Sequence, residues 1–364
     1  MLFGGNMLYF DNASTAMIHP NIINNAREIL SKFGNPSSKH KLGIEIKELV
    51  EQTRELVANS IKANRDEIYF FSSATEINNA VLKHLFSSKK IKKVLCSKTV
   101  HSSIKKVVEE AKGIDVIYLY KNGYNNYTQQ DYKKYGDVDL IIVEHTNNET
   151  GLVHEIPNIG IPVFLDCAQS YLKIEIDVRK SDVIALSISG HKIGALKGIA
   201  VLYMKKSIKI SPVLLGGGQE RGIRSSTENV PGILSIREVL LDVKEITFQK
   251  ELMIDKLKDN KNLKLYYSPN SSPHIILVNT KDIPAEVFAN ALSSKGVYIS
   301  TGSACHSNKK TKNNEVYRLI DENSDNFVRI SFSPFNTEEE ILEASKIIGD
   351  TADELAEFIG GINK

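Results

Sequence analysis

The chain has 364 residues, which is more than one hydrophobic core usually serves, so two structural domains are predicted. Its 46 basic and 44 acidic residues give a formal net charge of +2, a balance that predicts neither a nucleic-acid-binding nor a membrane-binding surface. The cysteines Cys96, Cys167 and Cys305 are odd in number and lack metal-ligand spacing. We therefore expect no disulfide, no metal site and a reducing, cytoplasmic location.

The first part of the chain alternates helical and apolar segments. Two helices are predicted early, one after Pro20 and one from about His40 to Lys62. Short apolar runs then alternate with helices or turns, which is typical of a mostly parallel sheet covered on both faces. The predicted strands are 68–72, 94–96, 116–120, 140–143, 163–166, 183–187 and 199–204, with helices through Leu85 and Ala111.

The last third of the chain predicts a second, smaller domain. A long amphipathic helix from about Pro231 to Lys258 is expected to connect the two. Strands are predicted at 263–267, 274–278, 297–300 and 328–332, with helices after Ile283 and Thr337. The predicted fold class is α/β. A large domain of residues 13–255 holds a mostly parallel seven-stranded sheet, and a smaller α+β domain is formed by 1–12 and 256–364.

The sharpest local motif is Ser187-Ile-Ser189-Gly190-His191-Lys192, directly after an apolar strand. Chemistry in such sheets gathers beyond the C-terminal ends of the strands. Lys192 can form a Schiff base with a carbonyl carbon, and Ser189 and His191 can donate hydrogen bonds to phosphate oxygens. The alternative interpretation is a solvated lysine in a turn.

One strand earlier, Asp166 ends an apolar run and Gln169 follows it. Pyridoxal 5'-phosphate acts as an electron sink when its ring nitrogen stays protonated, and a carboxylate at that nitrogen enforces the protonation. Gln169 could hydrogen-bond the ring oxygen. Asp166 could instead cap the next helix. The order of Asp166 at the end of one strand and Lys192 after the next strand favours the cofactor interpretation.

Two further segments offer phosphate donors. The segment 72–76, Ser-Ser-Ala-Thr-Glu, lies between a strand and a helix, where free N–H groups bind phosphate well; plain N-capping is compatible with this. The glycine-rich segment 216–222 lacks the Gly-Lys-Ser/Thr ending of a nucleotide phosphate loop, so ATP binding is not expected. The segment 224–227 that follows adds hydroxyl and guanidinium donors.

Together these residues resemble the class V aminotransferase family of fold-type I pyridoxal-phosphate enzymes. More narrowly, they resemble the group I cysteine desulfurases, which supply sulfur for iron–sulfur cluster assembly and tRNA thiolation. The resemblance runs from Tyr9 to Glu340, nearly the whole chain. It is carried by Tyr9-Phe-Asp-Asn-Ala13, Gly34-Asn-Pro-Ser-Ser-Lys-His40, Ala74-Thr-Glu76, Asn147-Asn-Glu149, Asp166 with Gln169, Ser189-Gly-His-Lys192, Gly216-Gly-Gly-Gln-Glu-Arg-Gly222 and Ser303-Ala-Cys305.

The resemblance implies a role for each matching residue. Lys192 would be the Schiff-base lysine, Asp166 the partner of the ring nitrogen and Gln169 that of the ring oxygen, while His101 would act in catalysis by stacking on the ring face. His101 could otherwise be a helix-capping histidine. The cofactor phosphate would be held by Ala74, Thr75, Ser189 and His191, with Thr227 reaching the phosphate of the other subunit in a homodimer.

The resemblance also implies a substrate site and a sulfur acceptor. Asn148, beside the cofactor, and Arg329 would position the carboxylate of L-cysteine with help from Asn35; Arg329 could otherwise belong to a structural ion pair. Cys305 would take the sulfur as a persulfide, leave L-alanine, and pass the sulfur to an iron–sulfur scaffold or a tRNA-thiolation enzyme. Small and polar neighbours predict a mobile loop around Cys305, and Lys309 and Lys310 would favour its thiolate.

The chain departs from the family pattern at several positions, and two rival functions remain. The connection from Gly151 to Asp166 shows no helix where the family inserts one, and the chain after Cys305 lacks the customary Glu-Pro-Ser. The first rival is another fold-type I enzyme, such as an aminotransferase or a selenocysteine lyase, which needs no protein cysteine. The second is a non-catalytic scaffold, which would lack the cofactor.

Overall fold

A computed structural model describes residues 7–301, 315–321 and 324–362 of the chain. Cys305, Lys309 and Lys310 lie outside the described residues. The helices are α1 Pro20–Asn24, α2 Ala26–Ser31, α3 Lys41–Ser60, α4 Ala74–Ser87, α5 Ser102–Glu109, α6 Gln129–Lys133, α7 Val230–Leu241, α8 Gln249–Leu257, α9 Ala285–Ser294, α10 Glu315–Ile320 and α11 Glu338–Ile362. The strands are β1 Leu8–Tyr9, β2 Ile68–Phe71, β3 Lys93–Ser97, β4 Asp115–Leu119, β5 Leu140–Glu144, β6 Val163–Asp166, β7 Val183–Ser189, β8 Ala200–Met204, β9 Lys264–Tyr266, β10 Ile275–Asn279, β11 Val297–Tyr298, β12 Ser300–Thr301 and β13 Phe327–Ser331.

A seven-stranded sheet has the order β2-β8-β7-β6-β5-β3-β4. The β8 strand is antiparallel to both of its neighbours, and the other six strands run in one direction. Every residue of β5, β6, β7 and β8 is buried, because helices cover both faces of the sheet. Apolar side chains of α3 and α7 form the core on one face, and those of α4 and α5 form it on the other. The predicted mostly parallel sheet is confirmed.

A second sheet has four antiparallel strands in the order β12-β13-β10-β9. Its core is formed with α8, α9 and α11, and includes Met253, Phe288 and Ile341. Leu8 of β1 and Phe10 pack in the same core, and β1 pairs in parallel with β11. Residues 8–10 therefore lie against the last third of the chain. The domain boundaries given above stay a prediction.

Two predicted elements of this region are wrong in extent. The helix expected over 231–258 is two helices, because α7 packs in a core of the seven-stranded sheet and α8 packs in the core of the second sheet. The carbonyl of Asp242 accepts a hydrogen bond from His19 Nε2 at 3.1 Å, and Gln249 Oε1 accepts the N–H of Thr247 at 2.9 Å. The strand expected over 297–300 is divided between β11 and β12, which pair with different partners. An apolar pattern that continues from one core to the next does not reveal such a break.

The connection from β5 to β6 contains neither helix nor strand over residues 151–162. It begins with a tight turn, in which Asn147 Oδ1 accepts the N–H of both Glu149 and Thr150 at 3.0 and 2.9 Å. Gly151 follows at φ +73°, and a Cβ there would lie 2.9 Å from that of Ile275. The bare crossover predicted from the sequence is confirmed, and the turn presents Asn148 at the end of β5.

Within residues 7–301, 315–321 and 324–362, no helix is both long and apolar enough to cross a membrane.

Candidate active site

A cavity of about 570 Å³ opens at the C-terminal ends of the parallel strands β2, β3, β5, β6 and β7. Parallel strands end at the same edge of a sheet, so the polar residues that follow them meet there. Most of the residues singled out in the sequence line this cavity. They are Ala74, Thr75, His101, Asn148, Asp166, Gln169, Ser189, His191, Lys192 and Arg329.

Lys192 lies in a 3-10 turn, Gly190–Lys192, directly after β7. Its Nζ donates hydrogen bonds to the carbonyl oxygens of Ala13 and Ser14, both at 2.6 Å. Its own carbonyl oxygen accepts a hydrogen bond from Lys173 Nζ at 2.9 Å. Lys173 faces a second cavity of about 470 Å³ that Lys192 also lines. The lysine amine is thus held at the cavity wall by the N-terminal segment.

Asp166 is the last residue of β6, opposite Glu144 of β5 and Ser187 of β7 in the sheet register. Burial raises the pKa of Asp166 to about 6, and the negative charge of Glu144 adds to this effect. The N–H of Ala168, which donates to Oδ1 at 2.9 Å, and the charge of Lys192 act in the opposite direction. A cationic group in the cavity would favour the carboxylate form.

Gln169 is buried, and its side-chain amide is fixed by two partners. Its Nε2 donates to the carbonyl oxygen of Ala13 at 2.8 Å, and its Oε1 accepts a hydrogen bond from His274 Nε2 at 3.2 Å. Burial and nearby positive charges lower the pKa of His274 well below its ordinary value, so His274 is neutral. An amide nitrogen carries two N–H groups, so Gln169 can donate a second bond into the cavity.

The N-terminus of α4 faces the cavity next to β7. Ser73 caps the helix, because its Oγ accepts the N–H of Glu76 at 3.1 Å. Ala74 and Thr75 therefore lie in the first turn, where backbone N–H groups lack helical partners and attract anions. His191 lines the same cavity, and its Nδ1 hydrogen-bonds Thr15 Oγ1 at 3.1 Å. Burial, with the charges of nearby lysines, lowers the pKa of His191 to about 4. This end of the cavity can hold a phosphate.

His101 both caps a helix and forms part of the cavity wall. Its Nδ1 accepts the N–H of Ser103 at 3.2 Å, at the start of α5. Burial by the surrounding protein lowers the pKa of His101, and the positive charge of Lys192 lowers it further. The capping alternative considered from the sequence therefore holds together with a place in the cavity, and the neutral ring suits stacking on an aromatic group.

Arg329 reaches the cavity from β13 of the second sheet and is buried. Its Nη1 donates to the carbonyl oxygen of Asn148 at 2.6 Å, and its Nη2 donates to Asp11 Oδ1 at 2.9 Å and to Ser14 Oγ at 2.6 Å. Its Nε has no hydrogen-bond partner among the described residues. Arg329 therefore takes part in an ion pair with Asp11 and also offers a guanidinium to the cavity.

Two of the expected site residues, Asn35 and Thr227, do not line this cavity, and a third lies outside the described residues. Asn35 is exposed, and its Oδ1 accepts the N–H of Ser37 at 2.9 Å. Thr227 is exposed in a separate hollow of about 170 Å³, which shares Ser72 and Gly198 with the cavity. Cys305 lies outside the described residues. The roles predicted for these three stay predictions.

Sequence reasoning missed several groups around the cavity. Ala13 and Ser14 supply the carbonyl acceptors of Lys192, and His274 orients Gln169. Glu144 also lines the cavity, and an acidic residue that extends an apolar run was a signal that could have found it. His274 had no local signal, because only the packing of the second sheet brings it to Gln169.

Comparison with known proteins decides the family. The sequence model of the family described as "Aminotransferase class-V" matches residues 8–343. The chain belongs to this family. It is similar to a cysteine desulfurase IscS of Shewanella sp. (strain ANA-3), with 32% identity over 382 residues, 96% of this chain and 94% of the relative. A solved NifS-like protein is 28% identical with a TM-score of 0.81, over 97% of this chain and 100% of its own. A solved structure named SspA in complex with cysteine is 25% identical with a TM-score of 0.79, over 90% of this chain and 99% of its own.

The cavity fits the cofactor of this family, pyridoxal 5'-phosphate. It has a lysine amine for the cofactor carbonyl at Lys192, a buried acid for the ring nitrogen at Asp166, and a helix N-terminus for the phosphate at α4. Within the described part of the chain, no group of three His, Cys, Asp or Glu side chains is placed to hold a metal ion.

Proposed function

We propose that this chain is a pyridoxal-phosphate-dependent cysteine desulfurase, which removes the sulfur of L-cysteine and leaves L-alanine and a persulfide on Cys305. The main support for this proposal is that Lys192, Asp166 and Arg329 line the same cavity. The relatives named cysteine desulfurase, which match nearly the whole chain, support this chemistry, and so does the related structure with cysteine.

Different residues of the cavity would contact different parts of the cofactor. When bound, pyridoxal phosphate supplies an electron sink for the electrons left on the substrate α-carbon after proton removal. Asp166 would keep the ring nitrogen protonated, and Gln169 would donate to the ring oxygen. His101 would lie against one face of the ring. The phosphate would be held by the first turn of α4, with Ala74 and Thr75, and by Ser189 and His191, all of which line the cavity.

The substrate is oriented by its carboxylate. Arg329 binds this group in the bidentate geometry that suits a guanidinium, and Asn148 lies beside it on the turn after β5. Asp11 balances the charge of Arg329 before the substrate arrives. Lys192 Nζ then takes the proton from the α-carbon. The carbonyl oxygens of Ala13 and Ser14 lie where they can accept hydrogen bonds from the Lys192 amine while it does so.

Cys305 is the cysteine best suited to accept the sulfur. Cys96 and Cys167 are fully buried, and burial raises the pKa of both thiols far above the ordinary range, so neither forms a thiolate readily. Cys305 follows Thr301 of β12 by four residues, a reach of at most about 14 Å. Ser300 of the same strand pairs with Arg329, which lines the cavity.

In the sulfur transfer, one bond forms and one bond breaks. The Cys305 thiolate attacks the sulfur of the substrate, an S–S bond forms, and the C–S bond breaks. The electron pair of that bond stays with the carbon skeleton, which takes up a proton and becomes L-alanine. The persulfide is then available to a sulfur-acceptor protein, which we expect to be an iron–sulfur scaffold or a tRNA-thiolation enzyme.

Turnover of L-cysteine in the presence of a reductant tests the proposal. Wild type should release alanine and sulfide in equal amounts, and Cys305→Ser should bind the cofactor and L-cysteine but release almost no sulfide. Ser303→Ala is the matched control, because it changes a small residue of the same segment and keeps the thiol. Full activity of Cys305→Ser would instead support a lyase that needs no protein cysteine, and a wild type without visible cofactor absorption would support a scaffold.

A homodimer and a cytoplasmic location complete the proposal. Thr227 is exposed at a hollow that adjoins the cavity, so a second subunit could contact it. In that arrangement Thr227 of each subunit donates to the phosphate held by the other.

A further inference from the structure

Glu144, the last residue of β5, is a buried carboxylate that the reaction outlined above does not use. It is 4% exposed and lines the cavity. In the parallel register between β5 and β6 it lies directly opposite Asp166. Two carboxylates therefore stand side by side at the ends of neighbouring strands.

The two oxygens of Glu144 have different surroundings. Oε1 accepts hydrogen bonds from Thr99 Oγ1 at 2.5 Å and from Asn147 Nδ2 at 3.1 Å, and it lies 3.7 Å from His154 Nε2. Oε2 is buried and has no hydrogen-bond partner among the described residues. A buried carboxylate oxygen without a partner is costly to keep, and a cationic group bound in the cavity that Glu144 lines would offset part of this cost.

The imidazole of His154 faces Glu144 from the connection between β5 and β6. His154 Nδ1 accepts the N–H of Tyr127 at 3.0 Å, so the proton of this imidazole is on Nε2, facing Glu144. Burial acts to raise the pKa of Glu144, but His154, Thr99 and Asn147 outweigh it and lower the pKa.

Several titratable groups surround this charge. They are Asp166 on β6, Cys96 on β3, Tyr127, Tyr132 on α6, His154 on the connection to β6 and Lys192 in the cavity lining. Of these, Asp166 and Lys192 line the cavity with Glu144. Asp166 is the neighbouring acid through which Glu144 can act on a bound ring.

We propose that Glu144 is a positioning residue for the ring nitrogen of pyridoxal phosphate, supplying a second negative charge behind Asp166 that favours the protonated ring. The proposal rests on the cofactor role of Asp166 given above. A negative charge near a cation stabilises the charged form relative to the neutral one. Because the electron sink depends on that charged form, Glu144 strengthens the sink without touching the substrate.

A pair of ligands that differ at the ring nitrogen tests the proposal without turnover. The first is 4-deoxypyridoxine 5'-phosphate, which cannot bond covalently to Lys192. The second is its benzene analogue, in which a C–H group replaces the ring nitrogen and the phosphate is unchanged. The dissociation constants of both are measured with cofactor-free protein at neutral pH, and their ratio reports the preference for a protonated ring.

In Glu144→Gln the preference for the pyridine ligand should fall about tenfold, equivalent to one pKa unit, with little change for the benzene analogue. Glu144→Asp keeps the charge and should keep most of the preference. Glu67→Gln is the matched control: Glu67 is also buried, its Oε1 accepts the N–H of Lys206 at 3.0 Å, and it does not line the cavity. Glu67→Gln should leave the ratio unchanged.

His154→Phe provides a second variant if Glu144→Gln does not fold. It keeps a ring that can stack on Tyr127, where the two ring centres are 4.1 Å apart, and removes the Nε2–H that faces Glu144. In His154→Phe the preference for the pyridine ligand should also fall, but by a smaller factor than in Glu144→Gln. An unchanged ratio in Glu144→Gln, or an equal fall in Glu67→Gln, would overturn the role of Glu144. A wild type that binds neither ligand would overturn the cofactor assignment itself.

Discussion

Replacing Asp166 with asparagine should remove a pH-dependent component from the stability of the cofactor-free protein. Burial raises the pKa of Asp166 in the folded state from 3.8 to about 6. Between about pH 4 and pH 6 the folded protein therefore keeps a proton that the unfolded chain has lost. The free energy of unfolding should fall as the pH rises through this window, because the buried carboxyl group must then ionise.

The size of this component follows from the pKa difference of about two units. At about 1.4 kcal/mol for each unit, wild type should lose about 3 kcal/mol relative to Asp166→Asn as the pH rises from about 4 to about 6. The variant carries no titrating group at this position, so the contribution of Asp166 is absent. A saturating cofactor should abolish the loss in wild type, since its protonated ring nitrogen stabilises the carboxylate.

Urea unfolding of both cofactor-free proteins across this pH range measures the effect. The difference between their unfolding free energies at each pH removes the contributions that the two proteins share. A difference that stays constant from pH 4 to pH 6 would refute the reasoning, because it would mean that Asp166 titrates alike in the folded and unfolded chains.

Three further predictions concern the cofactor, the substrate and the subunit contact. Borohydride reduction should fix the cofactor on Lys192 and not on Lys173, although burial lowers the pKa of Lys173 to about 7; a label on the Lys173 peptide would contradict the assignment. Arg329→Lys should raise the KM for L-cysteine roughly 10- to 100-fold through loss of a bidentate contact, whereas an unchanged KM would place the carboxylate elsewhere. Thr227→Ala should weaken cofactor binding while the protein stays a dimer, as measured by cofactor titration together with sedimentation. A monomer that binds the cofactor at full strength would argue against a shared site.

The sequence by itself determined the strands and the residues at their ends. Fully apolar runs such as 163–165 and 183–186 are buried strands, and the polar residues that follow them must leave the sheet at one edge. Asp166 and Lys192 could therefore be placed together from local pattern alone, because neighbouring parallel strands point the same way. The motif at α4 is similarly local, since a cap and a first turn lie within a few residues.

Only the tertiary structure decided which distant residues meet. Arg329 reaches Asp11 across 318 positions of chain, and His274 reaches Gln169 across 105. The pairing of Glu144 with Asp166 depends on strand register, which an apolar run does not specify when both of its faces are buried. The same holds for the break between α7 and α8, because a helical pattern records which face is apolar and not where the chain turns to a second core.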